Sequence, residues 1–517
     1  MLMEPTPIFS HNRIFVSILA ALIFGAAAAL FSPGAFLPGW LGISALLAVV
    51  FFCLLFTWSW AGGGRTLAWM MVLTFFLRVT VGVALMHILP AYGFDTEQQN
   101  AGYVFRDAFQ RDMRAWEVSQ TNEPLWTSFS QEMASDQYGG LLTTSVAIYR
   151  VLSPDAHRSV LILILAAFVA TLGAAFFHQA VQKRWSSRLA NLATWILVLY
   201  PDAILFGSSH MREPFVIGFG AMALWAVYAW NRSRRMAITT LVVSALGMLV
   251  ISSRVAVVVL AMLVVIFYLE HIMPRSERTK RLGAVVLIVA ALALAFMSWG
   301  WLRTSAKHDI RITEINSGWI QKVVEEVGQQ YRVPFIVTYG LAQPVLPASI
   351  ADPTLAVWRT IGILRGLGWY ALAPFILYAF FTVWKAQPAK ERPLLIWLAV
   401  MSLLWILVSS ARAGGDQWDN PRYRSIFLPF MSILVAWCIT WAIEKRDFWL
   451  ARWLVVEVIF LGFFTNWYIS RYYQVWKRLP FWQNVAWIAG LSALVLGSGW
   501  LWDFYKWLRN RRKLRQP

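Results

Sequence analysis

The chain has 517 residues, of which 59% are hydrophobic and 14% charged, and its mean hydropathy is +0.57. Soluble proteins carry about a quarter charged residues, so this composition excludes a soluble globular protein and indicates an integral membrane protein. The formal net charge of +19 comes from basic residues in short loops between apolar segments. That pattern favours loops facing one side of a membrane and its anionic lipids, and we expect no nucleic-acid partner.

Membrane-spanning helices are predicted wherever about 20 apolar residues run together, because that length crosses the hydrocarbon core. The predicted spans are 14–31, 39–60, 67–89, 158–181, 188–206, 210–230, 236–252, 254–273, 281–302, 358–383, 393–410, 424–443, 449–469 and 482–503. The apolar segment 138–153 is short, so it either crosses the membrane or lies at its surface. The predicted fold is an all-α polytopic membrane bundle of about 13–14 spans, with two long outer-face loops, 90–137 and 303–357.

The basic clusters predict the orientation of the chain. Lys183, Arg184 and Arg188 share one side with the other clusters and the basic tail, and the positive-inside rule makes that side cytoplasmic. We therefore expect both termini in the cytoplasm and a location in the plasma membrane. The predicted organisation is two leading helices (1–66), a core with both outer loops (67–445), and C-terminal helices ending in a basic tail (446–517).

The first outer loop holds two aspartates that differ in their predicted helical neighbours. Asp107 has Tyr103 four residues before it and Arg111 four after, a favourable acid-then-base pair on one face. The corresponding neighbours of Asp112 are Ala108, Phe109, Ala115 and Trp116. None of these side chains can neutralise Asp112, so it is a candidate proton acceptor beside the membrane. A solvated or ion-paired loop acid is the competing interpretation for either aspartate.

Polar stretches at other predicted span boundaries supply candidate binding residues. Tyr138 precedes two glycines and could lie along a ligand, although a capped helix start explains the same pattern. Between Pro201 and Pro214, Arg212 and Glu213 lie at the predicted outer membrane face. Pro201 is expected to end one helix and Pro214 to sit in the first turn of the next, where Glu213 also suits the helix dipole.

Arginines near the predicted outer face are candidate phosphate ligands. Arg254 separates two apolar runs and either receives an anionic headgroup or extends its side chain to the membrane surface. Arg422 and Arg424 flank Tyr423 in the last polar connection. Arginine suits bidentate phosphate binding, and a salt-bridge cluster is the alternative interpretation.

Three short motifs, taken in order, resemble the GT-C superfamily of membrane glycosyltransferases, which includes protein O-mannosyltransferases and aminoarabinose transferases. They are Arg111-Asp112-Met-Arg-Ala115-Trp116, the element from Tyr200-Pro201 to Glu213, and Pro421-Arg422-Tyr423-Arg424 with Pro429. The resemblance covers roughly residues 67–445. Two predicted spans precede the one before the acidic loop, where the family usually has a single leading helix.

The resemblance implies transfer of a sugar from a polyprenyl-phosphate donor to a lipid, glycan or protein acceptor at the outer face, with inversion. It makes Asp112 the general base, with Asp107 as the alternative. Arg254, Arg422 and Arg424, or a divalent metal ion, would neutralise the departing phosphate. Arg212 and Glu213 would organise the cavity. The protein would contact membrane lipids, and the lipid donor would enter the cavity sideways from the bilayer.

Three alternatives stay open on the sequence alone, and one of them is a GT-C scaffold that binds lipid without catalysing a reaction. An O-antigen polymerase or ligase also has many spans and long outer loops, but uses Arg and His where GT-C enzymes use Asp; His308 and Arg311 would be its candidates. A transporter or lipid flippase is the second alternative. Against it, the sequence has no repeated half and no matched pair of interrupted helices.

Overall fold

The computed structural model describes residues 11–129, 139–293, 296, 325 and 328–513. These residues form α-helices joined by turns and short 3-10 segments, and no β-strand occurs among them. The all-α prediction is therefore confirmed for the described part of the chain. The chain divides into two compact units, Met1–Trp299 with Arg424–Ile433, and Gly300–Tyr423 with Leu434–Pro517.

The first unit contains eleven labelled helices among its described residues, and a further helical stretch covers 277–293. They are α1 (His11–Leu30), α2 (Phe36–Trp60), α3 (Arg65–Tyr92), α4 (Glu97–Asn100), α5 (Arg106–Ser119), α6 (Gly140–Leu152), α7 (Val160–Arg184), α8 (Ser187–Leu199), α9 (Pro201–Gly207), α10 (Glu213–Ala229) and α11 (Arg234–Phe267).

Helix α7 is the centre of the first unit. It is apolar on all faces and packs against α2, α3, α8 and α10, so most of its side chains are buried. Glycines allow the close approach of α7 to α10, because a Cβ added to Gly173 would lie 2.5 Å from the Cα of Gly218. Small residues at such a crossing let two membrane helices pack backbone to backbone.

The second unit continues the chain with shorter helices and then two long apolar ones. Its helices are α12 (Arg332–Ala342), α13 (Leu346–Ala351), α14 (Ala356–Tyr370), α15 (Ala373–Thr382), α16 (Arg392–Ala413), α17 (Asp419–Ser425), α18 (Leu428–Lys445), α19 (Phe448–Tyr473) and α20 (Phe481–Lys513). The boundary between the units falls within α17, and again within α18.

Ten helices among the described residues are long and apolar enough to cross a membrane, or eleven if α8 and α9, bent by 54°, form one span. The chain is therefore a membrane-embedded polytopic protein. Three differences reduce the fourteen predicted spans to eleven. The predicted 236–252 and 254–273 merge into α11 across a kink at Ser252, α10 has only 17 residues, and 281–302 lies partly outside the described residues.

The uncertain segment 138–153 forms α6, which has 13 residues from Gly140 to Leu152. A helix of that length is about 20 Å long, whereas the hydrocarbon core is about 30 Å thick. This helix is therefore too short to cross a membrane. Its buried side chains pack in the first unit, and Tyr149 near its end is fully buried.

Candidate functional site

Helix α5 carries both candidate aspartates of the first polar connection. Its buried residues recur at three- and four-residue spacing and include Arg111, Asp112 and Ala115, so one face points into the unit. Asp112 is on that face and is 2% exposed. Asp107 lies in the first turn, half-buried, where its Oδ1 accepts the backbone N–H of Ala108 at 3.0 Å. A carboxylate there also favours the positive end of the helix dipole.

Three side chains donate hydrogen bonds to the Asp112 carboxylate. The Tyr149 hydroxyl donates to Oδ1 at 2.7 Å, and the Tyr103 hydroxyl donates to Oδ2 at 2.6 Å. The Nε2 atom of His157 lies 2.9 Å from Oδ2. The premise that Asp112 has no partner is therefore wrong. Its own helix supplies none of these three partners, which come from the preceding turn, from α6 and from the turn before α7.

Hydrogen bonds and charge determine the protonation state of Asp112. Burial alone would raise its pKa, because the charged form loses hydration. The hydrogen bond from His157, the charges of His210 and His157, and the Tyr103 hydroxyl outweigh burial and lower the pKa from 3.8 to about 2. Asp112 is thus ionised at neutral pH. Burial and the negative charge of Asp112 raise the pKa of Tyr103.

His157 is the more accessible member of the pair. Its side chain is 19% exposed, against 3% for that of Asp112. An ionised carboxylate can only accept hydrogen bonds, so Nε2 of His157 carries the proton that faces Oδ2. The Trp116 ring stacks on the imidazole at 5.5 Å between centroids, with 23° between the planes. The ring is thereby held in place with Nδ1 as its remaining acceptor.

The acidic helix also contacts the middle element of the chain. The Arg111 guanidinium donates to the backbone carbonyl of His210. His210 Nε2 donates to the carbonyl of Ser159 at 2.9 Å, and its ring lies 5.1 Å from that of Tyr103. Burial lowers the pKa of His210 despite the attraction of Asp112. Two of the three motifs of the resemblance therefore lie side by side.

The middle element folds as its two prolines predict. Pro201 is the first residue of α9, after the bend that ends α8, and Pro214 is in the first turn of α10. Glu213, the first residue of α10, is 5% exposed. Arg212 precedes it and is half-buried. These two residues are in the same compact unit as Asp112.

The predicted phosphate ligands are distributed over both units. Arg254 is exposed on α11, two residues after the kink at Ser252, and Arg424 is 1% exposed; both belong to the first unit. Arg422 and Tyr423 belong to the second unit. There Arg422 lies 3.7 Å from Asp419, and the guanidinium of Arg412 lies 4.4 Å from the Tyr423 ring centroid.

Several predicted residues lie outside the described part of the chain: Tyr138, His308 and Arg311. Within the described part, no group of three or more His, Cys, Asp or Glu is arranged to hold a metal ion. The sequence prediction missed His157, although the chain has a histidine in the short polar turn between α6 and α7.

No protein-family model matches the sequence, and no curated protein matches it.

Proposed function

We propose that this protein is a polyprenyl-phosphate-dependent glycosyltransferase of GT-C type, acting at the outer face of the membrane. It moves a sugar from a polyprenyl-phosphate donor to a hydroxyl group of a lipid, glycan or protein acceptor. The observation that carries the proposal is the ionised, buried Asp112 bonded to the more accessible His157, outside the candidate spans. This pair refines the sequence prediction, in which Asp112 acted alone.

In the proposed reaction, the acceptor oxygen attacks the anomeric carbon while the bond from that carbon to the phosphate oxygen breaks. Polyprenyl phosphate leaves, the configuration inverts, and the acceptor proton passes to Nδ1 of His157. Asp112 holds the imidazole in the tautomer that leaves Nδ1 free to accept, and stabilises the imidazolium that forms. A carboxylate whose pKa is about 2 suits this supporting role better than the role of sole base.

The departing phosphate needs positive charge near it. Within the first unit, Arg254 and Arg424 stay our candidates for that charge, with Arg212 and Glu213 shaping the cavity. The roles of Arg422 and Tyr423, which belong to the second unit, stay predictions from the sequence. A bound divalent cation would supply the same neutralisation. The contact between α5 and the middle element through Arg111 and His210 supports a shared site for the first two motifs.

The experiment uses the full-length protein in lipid nanodiscs with a panel of synthetic polyprenyl-phosphate monosaccharides. Released polyprenyl phosphate is measured by mass spectrometry, with and without extracted membrane glycolipids as acceptors. We expect release from at least one donor that depends on an intact Asp112. No release from any monosaccharide donor, in protein that remains folded, would contradict the proposal.

A polysaccharide polymerase or ligase is the second candidate, and one observation favours it. Such enzymes use His where GT-C enzymes use Asp, and His157 is the more accessible member of the pair. The two functions differ in donor: a polymerase or ligase would consume a polyprenyl-diphosphate oligosaccharide and release polyprenyl diphosphate. Adding such a donor to the same assay separates them, because each function predicts turnover of only one donor class.

A further inference from the structure

A small cavity of ≈ 20 Å³ lies where five helices of the first unit meet. Helices α3, α7, α8, α9 and α10 all contribute to its lining. A buried water needs about 10–15 Å³, so the cavity has room for one small species and none for a lipid headgroup. Apart from Thr74 and Arg78 the lining residues are apolar, and none of the described residues that line the cavity is acidic.

Arg78 lies near the middle of a candidate membrane span. It is the fourteenth of the 28 residues of α3, so about 20 Å of helix separates it from either end. The residue lines the cavity and is 4% exposed. A charged side chain at this depth is costly, and it either has a partner of opposite charge or marks a binding site.

The guanidinium of Arg78 uses few of its donors within the protein. It carries five N–H groups and no acceptor. Nη1 donates to the carbonyl of Thr74 at 3.1 Å, and Nε has no hydrogen-bond partner in the described part of the chain. No ion pair between described residues includes Arg78. Asp202, next to the lining residue Ala203, does not itself line the cavity. The positive charge therefore has no carboxylate in contact with it among these residues.

Loss of a proton cannot remove the charge of Arg78, because arginine stays protonated in proteins. A buried charge without a counter-charge is strongly unfavourable. A water molecule would accept a hydrogen bond and leave the charge in place, whereas an anion would accept the same bond and neutralise the charge. Gly207 of α9 restricts the side chain, since a Cβ there would lie 2.7 Å from Cδ of Arg78. The guanidinium is therefore held at the cavity.

We propose that this cavity binds one monatomic anion, such as chloride, on the guanidinium of Arg78. The positive charge, the N–H donors and the lack of lining acids all match an anion, and the volume limits it to a single small ion. Leu197 and Val198 line the cavity before the bend between α8 and α9, and Ala203 lines it after the bend. The bound ion would therefore connect α3 to the break that leads into the middle element.

The direct test is X-ray diffraction from crystals of the full-length protein purified in bromide, because bromide can replace chloride and scatters anomalously. We expect an anomalous peak within hydrogen-bond reach of the Arg78 guanidinium. Electron density at that position without an anomalous peak would assign the cavity to water and overturn the proposal.

Thermal unfolding in detergent gives a second measurement, with chloride, bromide or gluconate as sodium salts at the same ionic strength. A ligand that binds the folded state raises the thermal midpoint, and gluconate is too large for the cavity. We therefore expect midpoints about 2–4 °C higher in either halide than in gluconate. Equal midpoints in the three salts would contradict the proposal.

Two variants and a matched control locate the ion. Thr74→Asp places a carboxylate on the cavity lining four residues before Arg78, where an acid and a base pair on one helix face. It should abolish the halide effect, because the carboxylate takes the place of the ion. Arg78→Gln should also lose the effect. Thr74→Val is the control, since it keeps the shape of threonine without adding charge and should retain the halide effect.

The pattern across the three variants decides the result. A halide effect that persists in folded Thr74→Asp or Arg78→Gln would place the ion elsewhere and overturn the proposal. Equal loss of the effect in Thr74→Val and Thr74→Asp would show that charge is not its cause, with the same consequence. If a charge variant does not fold, the bromide position in the wild-type protein decides. These outcomes are independent of any sugar-transfer activity, so the two proposals fail separately.

Discussion

Two histidines near opposite ends of α7 have the same geometry and different partners. Before the helix, His157 meets the carboxylate of Asp112 with Nε2 at 2.9 Å; near its end, His178 meets the amide of Asn191 at the same distance. A carboxylate stabilises an imidazolium, whereas an amide oxygen supports a neutral ring. The first pair is therefore suited to accepting a proton, and the second is not.

The surroundings of the two pairs extend this difference. Asp112 accepts short hydrogen bonds from two tyrosine hydroxyls, and its partner His157 stacks on Trp116. His178 borders a cavity with an exposed Arg65 and no lining acid. The protein places negative charge at one end of the unit and leaves positive charge at the other.

The largest expected effect comes from Asp112→Asn. The amide keeps the shape but cannot stabilise an imidazolium at His157, so we expect sugar transfer to fall by about 10³-fold or more. Asp107→Asn, on the same helix but bonded to its own first turn, is the matched control and should cost far less. The measurement is release of polyprenyl phosphate in nanodiscs, with size-exclusion profiles to verify folding. Wild-type activity of Asp112→Asn would remove this residue from the mechanism.

Lowering the pH should remove the stability that the ionised Asp112 carboxylate contributes to the folded protein. Because the Asp112 pKa is lowered from 3.8 to about 2 in the folded protein, its contribution is fully present above the unfolded-state pKa and is lost as pH falls towards 2. The difference corresponds to about 2 kcal/mol. The difference between the thermal midpoints of wild type and Asp112→Asn in detergent should therefore become smaller between pH 6 and pH 3. A gap that stays constant with pH would contradict the lowered pKa.

The sequence predicted the local features of the fold. Hydropathy over about 20 residues placed α1, α2 and α3 within a few residues of their bounds, since membrane insertion depends on the apolar length of a segment. Pro201 and Pro214 predicted the interruption between α8 and α10 for the same local reason. The sequence predicted two spans, 236–252 and 254–273, because Arg254 and the two serines before it suggested a break. The structure instead has one continuous helix, α11, with a kink at Ser252.

The candidate site was predicted only in part, because its contacts connect residues far apart in sequence. Helical spacing identified Asp112 as unneutralised by its own helix, and the structure agrees on that point. Its partners Tyr149 and His157 are 37 and 45 residues away, and helical spacing carries no information about such pairs. Arg111 likewise bonds the carbonyl of His210, 99 residues away, as well as lying one turn from Asp107.

The central claim is that His157, held by Asp112, accepts the proton of the acceptor hydroxyl. The most direct measurement is the rate of polyprenyl phosphate release by wild type and by His157→Gln, whose amide can still donate to Oδ2. We expect His157→Gln to lose about 10²-fold in rate, because its amide cannot accept the proton of the acceptor hydroxyl. An unchanged rate in His157→Gln would contradict the claim and return the role of base to Asp112 alone.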